Sequence, residues 1–257
     1  MTRAVICGIR GRMGQTLLRL ARERADMTII GGIARTADAS LDIPVVTVDA
    51  AQGMIADADV LIDFSSAGAT RALLNHGASF EGRALVVGTT GLDEDTYQRL
   101  DELGARAALL TAANFSLGVN LLLGLTERVA ATLGAASYDI EIVEAHHRRK
   151  ADAPSGTALA LGAAAAKGRG VRLDDVRLDG RSGNAGTRAD GQIGFHAVRG
   201  GGITGEHRVV FAGEREVIEL RHEALDRAVF ADGALTAARW IAGRAPGRFT
   251  MQDVLGM

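Results

Sequence analysis

Through its first hundred residues this chain alternates short apolar runs with longer amphipathic stretches, and that alternation leaves few folds open to it. Ala4-Val5-Ile6-Cys7, Thr28-Ile29-Ile30, residues 45–48, Asp59-Val60-Leu61-Ile62-Asp63, Leu85-Val86-Val87 and residues 107–110 have the length and composition of strands. Residues 13–24, 68–78 and 93–103 carry helical spacing between them. Strand and helix in turn make βαβ units, which predicts an α/β fold, a Rossmann-like doubly wound parallel sheet with helices on both faces.

After Asn114 the pattern changes. A long apolar helix over 118–133 leads into a strand over 138–144, a basic polar segment, and a stretch rich in glycine and charge over 180–205. Alternating residues over 192–197, 207–212 and 217–220 predict a mixed or antiparallel sheet, hence a second, α+β domain beginning near Leu117. A last helix is read over 224–239, returning to the first domain.

Composition removes several function classes. The 257 residues are 47% hydrophobic and carry a formal charge of −2, which suits a globular protein and argues against a general binder of nucleic acid. The longest apolar run, 158–166, falls well short of the roughly 20 residues of a membrane span, and Met1-Thr2-Arg3 enters a strand without a signal-peptide pattern. No membrane partner and a cytoplasmic location are therefore expected. One cysteine, Cys7, allows no intrachain disulfide and no cysteine-based zinc cluster, and it reads as a small buried strand residue.

Directly after the first strand stands Gly8-Ile9-Arg10-Gly11-Arg12-Met13-Gly14, a GxxGxxG that opens a helix. Such a loop lets phosphate oxygens approach backbone N–H groups at the positive end of a helix dipole. A merely tight strand-to-helix turn uses the same residues, so position in a βαβ unit favours dinucleotide binding without deciding it. At the tip of the second strand no acidic residue is present to take a ribose hydroxyl; Ala34-Arg35 stands there instead. Arg35 suits a 2′-phosphate and hence NADPH over NADH, which remains possible, while a solvated surface arginine is the plain alternative.

The densest chemistry lies in Glu144-Ala145-His146-His147-Arg148-Arg149-Lys150 and the following Pro154-Ser155-Gly156-Thr157-Ala158. Pro154 suits an early helical position, and Ser155 and Thr157 offer capping oxygens, so backbone N–H groups at Ser155, Gly156 and Thr157 would meet an anion, most naturally a carboxylate. His146 and Lys150 are candidate proton donors beside it. A solvated basic turn is the alternative. No metal is expected, because adjacent histidines on a strand face opposite ways and no nearby ligand spacing resembles a zinc motif. His76, His196, His207 and His222 read as structural.

These residues, with Asp63-Phe64-Ser65, Gly88-Thr89-Thr90-Gly91, Ala113-Asn114-Phe115-Ser116, Arg199-Gly200-Gly201, Gly205-Glu206-His207 and Phe230-Ala231-Asp232-Gly233-Ala234, resemble the bacterial 4-hydroxy-tetrahydrodipicolinate (dihydrodipicolinate) reductases over nearly the whole chain. The resemblance implies NAD(P)H-dependent reduction of a cyclic imine dicarboxylate in lysine and diaminopimelate biosynthesis. It implies that Gly8, Ile9, Arg10, Gly11, Arg12 and Met13 cradle the pyrophosphate, Arg35 meets the adenosine end, Gly88, Thr89 and Thr90 lie beside the nicotinamide ribose, and Ala112, Ala113, Asn114 and Phe115 close the nicotinamide site. His146 and Lys150 would handle protons, and His147, Ser155, Gly156 and Thr157 would hold substrate carboxylates. It further implies a dinucleotide-binding domain of 1–116 plus 227–257, a substrate-binding and oligomerisation domain of 117–226, and a homotetramer. Two departures stand out: Ala34 where the family often has an acid, which tilts the reading to NADPH, and Arg10 within the loop, which adds a phosphate contact. The rival readings are a nucleotide-sensing protein on the same fold and an amino-acid dehydrogenase.

Overall fold

The short β-rich runs pair side by side in the computed structural model, which describes residues 1–37 and 40–257. Contacts divide the chain into two units, Met1–Leu117 with Ala228–Met257, and Gly118–Arg227.

In the first unit, β1 (Thr2–Cys7), β2 (Met27–Ile33), β3 (Val45–Val46), β4 (Val60–Asp63), β5 (Ala84–Val87), β6 (Ala108–Thr111) and β12 (Gly247–Phe249) form a sheet in the order β12-β6-β5-β4-β1-β2-β3. Every pairing is parallel. The alternation along each strand sends successive residues to opposite faces. Ala4 and Ile6 pack with Leu17 of α1 (Arg12–Arg22), with Ala234 and Leu235 of α8 (Ala228–Ile241) and with Met251 of α9 (Met251–Leu255). Val5 and Cys7 face the other layer, where Ile55 of α2 (Gln52–Ala56), Leu73 of α3 (Ala67–Leu73) and Leu100 of α4 (Glu94–Gly104) are buried. From β1 the chain winds outward through β2 and β3, then restarts at β4 on β1's other side. That reversal opens a crevice at the carboxyl ends of β1 and β4, the place where such sheets bind ligands.

The second unit carries α5 (Leu117–Thr132), β7 (Asp139–His146), α6 (Gly156–Gly168), α7 (Leu173–Val176), β8 (Arg177–Asp179), β9 (Ile193–Arg199), β10 (Glu206–Ala212) and β11 (Val217–Glu223). Its strand order is β11-β10-β7-β9-β8. The sheet is mixed: β7 and β8 run parallel to β9, while β10 is antiparallel to β7 and β11. One face, bearing Ile140, Ile142, Ile193, Phe195, Val209 and Phe211, packs on Leu161 and Ala165 of α6 and on Leu122 and Ala130 of α5.

Three differences from the sequence reading have local causes. The helix expected over 68–78 is α-helical only to Leu73 and continues as 3₁₀ turns over Leu74–Phe80, broken at His76. Asn75, His76 and Gly77 are poor helix formers, and the tighter turns are the result. The last helix starts at Ala228, not 224, because the Ala224 N–H donates to the Gly205 carbonyl at 2.9 Å and so stays with the sheet. The three-residue strands β8 and β12 are too short to leave a periodic signal. Among the described residues, no helix is long and apolar enough to cross a membrane.

Candidate active site

Where β1 ends, Gly8 takes φ of +80°, a conformation that disfavours any other residue, and its N–H donates to the Ile33 carbonyl at 2.9 Å. A Cβ at Gly14 would overlap the Gly8 carbonyl, so glycine there lets α1 begin hard against the loop. Gly11 caps α1 without a side-chain hydrogen bond, and the first turn holds no acidic residue. The helix start is therefore electropositive and uncovered by its own side chains.

Beside it lies a cavity of about 460 Å³ at the ends of β1, β2 and β4. Gly8, Arg10, Gly11, Arg35, Thr36 and Ser65 line it, and no carboxylate does so among the described residues. A cleft of that size with backbone donors and two guanidinium groups fits the phosphates and sugar of a nucleotide. Arg10 also reaches the Ser40 hydroxyl at 3.4 Å.

The other residues singled out for the cofactor fall into three groups. Arg12 and Met13 begin α1. Ile9 is fully buried in the core, packed where a Cβ on Gly32 would otherwise sit, and thus supports the loop from below. Gly88, Thr89 and Thr90 follow β5, and Ala112, Ala113, Asn114 and Phe115 follow β6, outside the cavity lining. These two loops are tied to the one after β4: Thr89 Oγ accepts from the Ser65 N–H at 3.0 Å, and the Phe64 and Phe115 rings meet at 5.2 Å. Gly88 is needed because a Cβ would enter the Phe64 ring. Beneath them Asp63 is fully buried; burial pushes its carboxyl up, and hydrogen bonds from Ser65 and Thr70, both at 2.5 Å from their hydroxyls, offset part of that.

In the second unit the face of the sheet that packs on α5 and α6 changes character at one end. Along β7 it reads Ile140, Ile142, Glu144, His146; the partner positions on β9 and β10 end in Arg199 and His207. Glu144, only 1% exposed, is the hub. Its Oε2 accepts from His146 Nδ1 at 2.6 Å and from Arg199 Nη1 at 2.7 Å. Oε1 accepts from Arg199 Nη2 at 2.7 Å and from the Ser155 N–H at 3.0 Å. Burial alone would raise this carboxyl, but the hydrogen bonds from Arg199, His146 and Ser155 together hold it below its ordinary value.

Ser155 caps α6: its Oγ accepts from the Ala158 N–H at 3.2 Å. Pro154 accordingly precedes the cap and does not occupy the first helical turn. Gly156 and Thr157 are the first two residues of α6, the positions at which a helix presents amide donors to an anion. His147 is half-buried, and its Nδ1 has no hydrogen-bond partner. Lys150 Nζ pairs with Asp152 at 2.8 Å, and Arg148 and Arg149 are exposed. The cations and the helix start thus stand together in one unit.

Residue patterns alone assign no role to Glu144 or Arg199, and His207 reads from them as structural. The signal was present in the i, i+2 spacing of Glu144 and His146, which puts both on one face of a strand. No comparable signal links Arg199, 55 residues away, to that pair.

Two family descriptions cover almost the entire chain: "Dihydrodipicolinate reductase, N-terminus" matches residues 2–115, and "Dihydrodipicolinate reductase, C-terminus" matches residues 118–255. The chain belongs to the dihydrodipicolinate reductase family. It is 46% identical over 251 residues to the 4-hydroxy-tetrahydrodipicolinate reductase of Caulobacter vibrioides, covering 98% of this chain and 96% of that relative. It is 47% identical over 252 residues to the enzyme of the same name from Acidiphilium cryptum, again covering 98% and 96%. In fold it is similar to a dipicolinate-bound dihydrodipicolinate reductase from Paenisporosarcina sp. TG-14, with a TM-score of 0.79 and 24% identity over 98% of each chain. A C. glutamicum DAP dehydrogenase in complex with DAP is more distant in fold, with a TM-score of 0.56 and 16% identity over 97% of this chain and 92% of that one.

The buried His207 gives this cluster a pH signature. Its Nε2 faces the Ser155 hydroxyl at 3.0 Å and its ring meets that of His146 edge-on at 5.1 Å. Burial first, and then the nearby His146, lower its pKa from 6.5 to about 4. The unfolded chain therefore binds a proton that the fold refuses between those values, so the contribution of a neutral His207 is complete above pH 6.5 and is lost as pH falls toward 4. At about pH 5 the loss is about 2 kcal/mol. Urea midpoints at about pH 7 and pH 5 should fall further apart in the parent than in His207→Gln; equal separations contradict this reading.

Proposed function

We propose that this chain reduces 4-hydroxy-tetrahydrodipicolinate to tetrahydrodipicolinate, in diaminopimelate and lysine biosynthesis, with NADPH as its preferred reductant and NADH as a weaker one. The observation that carries the reading is the second unit's constellation: a histidine oriented by a buried carboxylate, beside a helix start and a cluster of cations. Family membership, relatives named for this reaction and a fold neighbour that binds dipicolinate all support it.

When bound, a reduced nicotinamide supplies the hydride, and the protein supplies position, charge and protons. In the first unit the loop from Gly8 to Met13, Arg10 included, would hold the pyrophosphate, Arg35 the adenosine phosphate, and the loops after β5 and β6 the nicotinamide end. In the second, Gly156 and Thr157 amides and His147 would take the carboxylates of a dianion drawn in by Arg148, Arg149 and Lys150. His146 would deliver the proton through Nε2, since Nδ1 is committed to Glu144. Lys150 would serve as a second donor on leaving Asp152 for the substrate. We also infer a cytoplasmic homotetramer built through the second unit; the sheet face turned away from α5 and α6 exposes Val198 and Val217, 50% and 58% exposed, as such an interface requires.

The test is loss of NADPH absorbance near 340 nm with enzymatically generated hydroxytetrahydrodipicolinate. Turnover in the parent and a kcat about a hundredfold or more lower in His146→Gln, at unchanged NADPH affinity, is the expected result. Binding of NADPH without turnover, or faster oxidation of an amino acid with NADP+, overturns the proposal in favour of a sensor or an amino-acid dehydrogenase.

Cofactor choice is tested separately. Arg35→Ala removes a charge-assisted contact of about 1.5 to 3 kcal/mol, so NADPH should bind about tenfold to a hundredfold more weakly while NADH affinity holds. Equal losses for both cofactors contradict the assignment.

A further inference from the structure

We propose that Glu144 is the positioning residue of the site: one buried carboxylate fixes which nitrogen of His146 carries the exchangeable proton and where the first turn of α6 begins. The inference rests on the reading of His146 as the proton carrier and extends it to a residue that touches neither substrate nor cofactor.

An ionised carboxylate only accepts hydrogen bonds, so at 2.6 Å from Oε2 the Nδ1 of His146 must be the protonated nitrogen. That leaves Nε2 to gain and lose the proton. Room is kept at that nitrogen by Gly205, where a Cβ would lie 3.2 Å from Nε2. The ring is held from a second side by His207, edge-on at 5.1 Å. Tautomer and orientation are thus both set.

Glu144 itself is spent on these contacts. Four donors, from His146, the Ser155 backbone and two Arg199 nitrogens, occupy its two oxygens. With 1% exposure it has no path to a bound ligand, which separates its role from that of an acid or base. Arg199 balances its charge and also donates to the Asp152 carbonyl at 2.6 Å, tying in the segment that leads to α6. Loss of the Ser155 contact frees the cap residue of that helix. A single substitution at Glu144 therefore reaches proton delivery through one oxygen and carboxylate binding through the other.

Glutamine preserves the shape but can turn an amide N–H toward Nδ1, which favours the opposite tautomer. The test is nitrogen-15 NMR of histidine-labelled protein at a pH where the imidazoles are neutral, without substrate, in the parent and in Glu144→Gln. The parent His146 should show a protonated Nδ1 and an unprotonated Nε2. In Glu144→Gln the proton should move to Nε2, kcat should fall at least tenfold, and NADPH affinity should stay parental. A protonated Nε2 in the parent, or a Glu144→Gln protein with parental tautomer and kcat, overturns the proposal. If Glu144→Gln does not fold, the parent spectrum alone still decides the tautomer, and Arg199→Lys, which leaves the carboxylate in place, should retain the Nδ1 proton. A chain with the expected tautomer that reduces no cyclic imine refutes the function and not the Glu144–His146 assignment.

Discussion

The second unit depends on a negative charge that has been taken out of water. A carboxylate with almost no exposed surface is costly unless every lone pair is used and a cation stands against it. Glu144 meets both conditions through Arg199, His146 and the Ser155 amide. Those partners come from β7, β9 and the residue that caps α6, so satisfying one side chain aligns two strands and a helix start. Loss of Arg199, the one cation that donates to both oxygens, would leave the buried charge without its counter-ion.

Alternation along the strands explains how such a group comes to lie at the end of an apolar layer. The inward positions of β7, β9 and β10 are apolar for most of their length, through Ile140, Ile142, Ile193, Phe195, Val209 and Phe211. At one end they become Glu144, His146, Arg199 and His207. The apolar stretch holds α6 in place, and the polar stretch meets its first turn. The first unit works by subtraction: glycine at Gly8, Gly11 and Gly14 lets α1 start hard against the loop, beside a cavity lined by Arg10 and Arg35.

Much of this was legible in the residues because it follows from periodicity or from glycine. The parallel sheet, the strand-loop-helix around Gly8, and the helix beginning at Ser155 each have a local signature. Contacts between distant segments do not. That Arg199 clasps Glu144, or that His207 faces Ser155, depends on strand register, which a sequence of this kind does not state. Ile9 shows the opposite case, a loop residue whose side chain belongs to the core because Gly32 makes room for it. The 3₁₀ continuation of α3 reflects a conflict between helical spacing and the poor helix formers at Asn75, His76 and Gly77.

The claim that joins these parts is that proton delivery and carboxylate binding occur at one site organised by Glu144. Titration with dipicolinate, a dicarboxylate that cannot be turned over, tests it most directly when the His146 ring and the Gly156 and Thr157 amides are followed together by NMR. All three should respond along one saturable isotherm with a single Kd. Amides that stay unchanged while His146 responds, or two separate isotherms, would contradict it.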